Sequence, residues 1–169
     1  MSSNKYLPAL VSGFAAAVLS TIPIIKTFNC CLIIPAASIA ALYLYQKTVI
    51  SGAPISLGNA LGFGLLTGII AAIFASAFDI LITYITHTND IILGLPDSEN
   101  FMKQLNLGPV IDEWMKLFKQ MASDIESTGF SALYTVVLTI SNLLVFSIFG
   151  VLGGLLGMAI LNKRNRQQF

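Results

Sequence analysis

The chain has 169 residues, of which 56% are hydrophobic and only 10% charged, against about 25% charged in an ordinary soluble domain. With a mean hydropathy of +0.82 and a formal net charge of +1, these values argue against a water-solvated globule. They also leave no clustered basic face for nucleic acid.

The predicted fold class is all-α: one polytopic membrane domain over residues 1–169, with four transmembrane helices and one extracytoplasmic amphipathic helix. A helix needs about 20 apolar residues to cross about 30 Å of hydrocarbon, and four stretches meet or approach that length. The first is residues 7–25. It resembles a secretory signal in following Lys5, but its 19 apolar residues exceed a signal core and end in Pro23, Ile24, Ile25 and Lys26 without a small-x-small site, so it is expected to stay in the mature protein. The second stretch, residues 29–45, sits at the lower length limit and carries Pro35, which predicts a kink. Only residues 26–28 separate the two, so a tight antiparallel hairpin is expected, with Lys26 snorkelling to the interface.

Residues 46–55 form a polar connection with Lys47, Ser51, Gly52 and Pro54. Ser56 has the character of an N-cap for the third run, residues 57–85. At 29 residues that run would measure about 43 Å as a straight helix, so it must tilt or protrude. Residues 86–129 are the one sizeable extramembrane segment. Within it, Val110, Ile111, Trp114, Phe118, Met121 and Ile125 follow helical spacing over 110–126, with Asp112 and Lys116 as an i,i+4 pair. This helix reads as lying on the membrane with Trp114 as interfacial anchor, or as a docking surface for a partner. The last run, residues 132–161, precedes the basic tail Lys163, Arg164 and Arg166.

With an even number of spans, both tails and the 46–55 loop share one side, which holds Lys5, Lys47, Lys163, Arg164 and Arg166. The other side carries Lys26 and the 86–129 segment, whose three lysines and seven acids sum to minus four. That bias places both termini in the cytoplasm and the protein in a cell inner membrane.

Ala60, Gly64, Gly68, Ala72 and Ser76 recur every four residues in the third run, with Gly58 and Gly62 as a further G-x-x-x-G pair. Gly150 with Gly154 and Gly153 with Gly157 do the same in the fourth. Small residues let helix backbones approach in lipid, where dispersion rather than hydrophobic transfer drives association. Such stripes serve either packing of the third run on the fourth, homo-oligomerisation, or a substrate pathway. Asp79 is the only acid within an apolar run, about 33 Å along the helix from Leu57, near the far headgroups. It reads as an interfacial acid or as an ion or proton site, with Asn142 as a hydrogen-bonding candidate across the bundle. The adjacent Cys30 and Cys31 do not match a redox or zinc spacing and read as small packing residues, or as an intermolecular disulfide or metal contact. His87 is the sole histidine. No catalytic motif, metal set or cofactor fingerprint is present, so no enzyme activity, cofactor or metal is expected. The expected partners are membrane lipids and a homo-oligomer or larger membrane complex.

Asn29-Cys30-Cys31, a small-residue span closing in Tyr43-Leu44-Tyr45, and Ile55-Ser56-Leu57-Gly58 opening a glycine-rich span together resemble a group of uncharacterised small four-span prokaryotic inner-membrane proteins. The resemblance implies the four-span layout and no site residues. The function expected is that of a non-enzymatic packing, assembly or accessory subunit; the alternative is a small transporter or channel component using Asp79 and Asn142.

Overall fold

A computed structural model describes residues 5–22, 26, 28–50, 53–89, 92–94 and 109–166, without the side chains of 30, 109–112, 165 and 166. The described residues are all-helical. The helices are α1 (Leu7–Leu19), α2 (Ile34–Thr48), α3 (Leu57–Thr86), α4 (Pro109–Thr128) and α5 (Ala132–Arg166). Two of them, α3 and α5, are long and apolar enough to cross a membrane. Where the sequence reads as one membrane domain, the chain divides into two compact units, Met1–Phe78 with Thr139–Phe169, and Asp79–Leu138.

The apolar run at 7–25 does not form one helix. α1 ends after 13 residues, at Leu19; just beyond it Ser20 Oγ donates to the Ala17 carbonyl (2.6 Å) and Thr21 Oγ1 to the Val18 carbonyl (2.8 Å). Thirteen residues cover about 20 Å, less than a bilayer core. The sequence reading of an uninterrupted 19-residue crossing is corrected on this point.

Pro35 acts through the turn before it. A π-helical turn, Asn29–Ile33, precedes α2, and the Ile34 N–H reaches back to the Asn29 carbonyl. Proline lacks an N–H and presses on the carbonyl four residues earlier; the wider turn accommodates both effects. Cys31 is exposed in this turn, and the Cys30 side chain lies outside the described residues.

Small residues occupy the interior of the first unit. One cluster is built on Ala9, Ala41, Leu42, Ala60 and Phe63, another on Ala16, Ala17, Ala71, Ala72 and Phe146. The large aliphatics point outward. On α5, Ile140, Leu144, Ile148, Leu152, Leu156 and Ile160 are all exposed, between 47% and 60%, at every fourth position. That stripe runs from Ile140 to Ile160, about 30 Å. The faces are reversed relative to a soluble helix, whose large apolar side chains turn inward.

The second unit packs Met121 and Ile125 of α4 against Tyr134 of α5, with Ile92, Phe118 and Leu138 around them. The apolar face of α4 is therefore divided. Phe118, Met121 and Ile125 serve this core together with the buried Met115 and Ala122, whereas Trp114 is 56% exposed. The side chains of Val110, Ile111 and Asp112, and with them the Asp112–Lys116 pair, lie outside the described residues. α4 ends at Gly129 (φ +74°), whose N–H donates to the Ile125 carbonyl (2.8 Å). A Cβ at Gly129 would lie 2.6 Å from the Tyr84 carbonyl oxygen, so both the backbone angle and the space require glycine. Gly129→Ala is expected to cost about 1–3 kcal/mol, seen as a lower unfolding midpoint in detergent; an unchanged midpoint would contradict the strain argument.

Candidate functional site

All five residues of the α3 stripe, Ala60, Gly64, Gly68, Ala72 and Ser76, are buried. Three of the contacts leave no room for a side chain. A Cβ on Gly64 would collide with the Gly150 carbonyl oxygen, one on Gly68 with that of Phe146, and one on Gly154 with that of Ala60. The α3 and α5 backbones are thus in direct contact along this seam. Gly153 and Gly157 face α2 instead: a Cβ on Gly153 would collide with Pro35, and one on Gly157 would lie 3.2 Å from the Ile39 Cα. Three residues advance a helix by 300°, so the two G-x-x-x-G pairs of α5 lie 60° apart, enough to serve different neighbours. Gly58 and Gly62 meet nothing within 4 Å. A glycine the sequence reading passed over, Gly13 of α1, rests 2.9 Å from the Thr67 carbonyl oxygen by the same measure.

Polar groups lie within this apolar packing. Asn142 Nδ2 donates to Ser76 Oγ at 3.0 Å, which joins one candidate polar residue to the last member of the α3 stripe. Asp79 is half-buried on α3, one turn beyond Ser76. The hydroxyls of Ser38 and Thr67, on fully buried residues, have no hydrogen-bond partner among the described residues. In a medium without water such groups carry a desolvation cost of a few kcal/mol.

At the end of the first unit that holds the C-termini of α2 and α5, side-chain amides tie loop to helix. Asn162 donates to the Ile55 carbonyl (2.9 Å) and accepts from the Ile55 N–H (2.8 Å). Gln46 Nε2 donates to the Ala53 carbonyl (3.1 Å), and Asn59 Nδ2 to the Tyr45 hydroxyl (3.2 Å). Tyr45 in turn packs on Phe63 with ring centroids 4.3 Å apart. Ser56 caps α3 through the Asn59 N–H at 3.4 Å. None of the amide clasps was legible beforehand, because a residue at 162 reads only as the beginning of a basic tail.

The same end carries two cations on one ring. Lys47 Nζ lies 4.8 Å, and Arg164 Cζ 5.6 Å, from the ring centroid of Tyr43. Tyr43 and Lys47 are i,i+4 on α2, whereas the arrival of Arg164 depends on the α2–α5 contact. In the second unit, His87 Nδ1 lies 3.4 Å from the Glu126 carbonyl oxygen, and Ser131 Oγ donates to Asp124 Oδ2 at 3.2 Å. Among the described residues, no three His, Cys, Asp or Glu side chains are grouped to hold a metal ion.

Two outcomes distinguish a seam glycine from an open one. Gly64→Leu is expected to destabilise the protein by about 3 kcal/mol or more, since backbone rather than a mobile side chain blocks the space. Gly62→Ala should be neutral, or stabilising by up to about 1 kcal/mol. Thermal melts of the two variants in one detergent compare them; equal midpoints would refute the assigned facing. For the amide clasp, Asn162→Ala should cost about 1–3 kcal/mol in the same melt, because it removes two hydrogen bonds to one backbone residue.

No protein-family model matches the chain, and neither the curated proteins nor the solved structures give a match to it.

Proposed function

We propose that this chain is a multi-pass protein of the cell inner membrane that works as a non-enzymatic assembly or accessory subunit. In this reading it crosses the bilayer four times, and both termini are cytoplasmic. The observation that carries it is the α5 stripe: six large aliphatic side chains exposed in register over about 30 Å, backed by glycines turned inward. An exposed apolar face of that extent is stable in hydrocarbon and a liability in water. α1 and α2 would supply the other two crossings as a hairpin. The short α1 reaches the opposite headgroups with local thinning of the bilayer.

The seam glycines are consumed by intramolecular packing, so assembly with other chains would use the outward faces. Gly58 and Gly62, open to their surroundings on α3, permit a close approach there. A second reading, a small transporter or channel component using Asp79 and Asn142, draws support from the unpartnered Ser38 and Thr67 hydroxyls inside the first unit.

A paired experiment separates these readings. The chain carrying Gly62→Leu, reconstituted in native-lipid nanodiscs, is expected to keep its melting temperature but lose a larger assembly seen by mass measurement or crosslinking. Asp79→Asn should leave ion and solute flux in proteoliposomes unchanged. Flux that wild type supports and Asp79→Asn abolishes would favour the transporter reading. Single-cysteine labelling at residues 5 and 163, with Cys30 and Cys31 replaced by Ser, tests the topology, which fails if the two sites react from opposite sides.

A further inference from the structure

All eight acidic residues of the chain lie between Asp79 and Glu126, so the first unit contains no Asp or Glu side chain. It does contain Lys5, Lys26, Lys47, Lys163, Arg164 and Arg166. Two of these cations, brought together from different helices, converge on Tyr43 at 4.8 and 5.6 Å from one ring centroid. Attraction to a ring quadrupole gives each cation about 0.5–1 kcal/mol at an exposed site. Both cations thus sit on one ring, and their own unit has no Asp or Glu side chain to neutralise them.

The surroundings identify the missing anion. The exposed α5 stripe advances by four residues from Ile140 to Ile160, and the next step in that register is Arg164, which is also exposed. Ile160 and Leu156 lie 40° and 80° around the helix from Arg164, so aliphatic contacts end next to the guanidinium. Leu44, next to Tyr43 on α2, is exposed as well. Three tyrosines, Tyr6, Tyr43 and Tyr45, occupy this same end, with Lys5 5.7 Å from the Tyr6 ring and Tyr6 6.4 Å from Phe63, on which Tyr45 also packs. Aromatic rings interleaved with bases at the end of an apolar stripe mark headgroup depth.

We propose that Lys47 and Arg164, gathered by Tyr43, form a binding site for the phosphodiester of an acidic phospholipid whose acyl chain lies along the outer face of α5. The guanidinium donates to two phosphate oxygens as a fork and the ammonium adds a point charge. The anion neutralises cations for which their own unit has no Asp or Glu side chain. This rests on the membrane reading above. The occupant is a lipid, not a free phosphate, because the stripe and the cation share one register.

The test uses wild type and the Lys47→Gln/Arg164→Gln chain, each reconstituted in vesicles with equal amounts of phosphatidylglycerol and phosphatidylcholine. After gentle extraction, native mass spectrometry reads the lipid that remains bound. Wild type is expected to retain phosphatidylglycerol preferentially, and the double variant to lose about fivefold of that preference per cation removed. Tyr43→Phe keeps the ring and should keep the preference. Equal retention by wild type and the double variant, with matched circular dichroism, overturns the site. Saturable binding of inorganic phosphate to wild type in lipid-free detergent, absent from the double variant, overturns the lipid assignment. Failure of wild type to resist carbonate extraction from the vesicles would count against the membrane reading itself, and is scored separately from lipid preference.

Discussion

The first unit depends on the contact between two backbones. Where Gly64 and Gly68 meet Gly150 and Phe146, no side chain separates α3 from α5, and a single added Cβ would strike a carbonyl oxygen. Such contact gains dispersion energy and weak Cα–H···O interactions, which are small one by one and summed along the seam. In water this would be a poor exchange for burying leucine and isoleucine. In hydrocarbon the large aliphatics gain nothing from burial, so the geometry that brings glycines together and turns large residues outward becomes the favourable one. In the membrane reading, the outward α5 stripe and the inward glycines are two consequences of one solvent.

The rest of the unit follows from that seam. Once α5 is fixed by Gly150 and Gly154, its rotation carries Gly153 and Gly157 to a second neighbour, and α2 fits there because Pro35 can lie against a residue with no Cβ. The π-turn ahead of Pro35 lets the chain continue without a collision between the ring and the carbonyl behind it. α1 enters through Gly13 against α3. At one end Asn162 closes the unit by holding Ile55 at both backbone groups, which fixes the connection that leads into α3. Side-chain amides suit this task because they donate and accept simultaneously.

Much of this was legible from spacing. The four-residue recurrence of Ala60, Gly64, Gly68, Ala72 and Ser76 identifies a helix face that backbone can approach, and the periodicity near Met121 and Ile125 identifies a helix with one apolar side. What spacing does not encode is which neighbour each face meets. Gly150 and Gly153 read as one overlapping motif, yet 60° of rotation gives them different partners. Gly58 and Gly62 have the same pattern as Gly64 and Gly68 and face open space. α1 ends at Leu19, inside the apolar run, a local event that an apolar average conceals. The Asn142–Ser76 bond and the meeting of Lys47 with Arg164 need residues far apart in the chain, so they emerge only with the packing.

Charge adds a constraint that packing alone does not supply. Every acidic side chain falls between Asp79 and Glu126, whereas six of the nine bases lie outside the second unit. A partition this complete is not needed for the α3–α5 seam, which contains no charge. In the membrane reading proposed above, only the bases bear on orientation, since Lys and Arg flanking short loops are retained on the cytoplasmic side and acids contribute little to that choice. It also leaves the cations of the first unit without neutralising side chains of their own unit. In a membrane whose cytoplasmic leaflet carries negative lipids, that deficit is an attraction to the surface that extends over a Debye length of about 10 Å. In the membrane reading proposed above, the bases favour one orientation during insertion, and the absence of Asp and Glu side chains beside them favours one class of lipid afterwards.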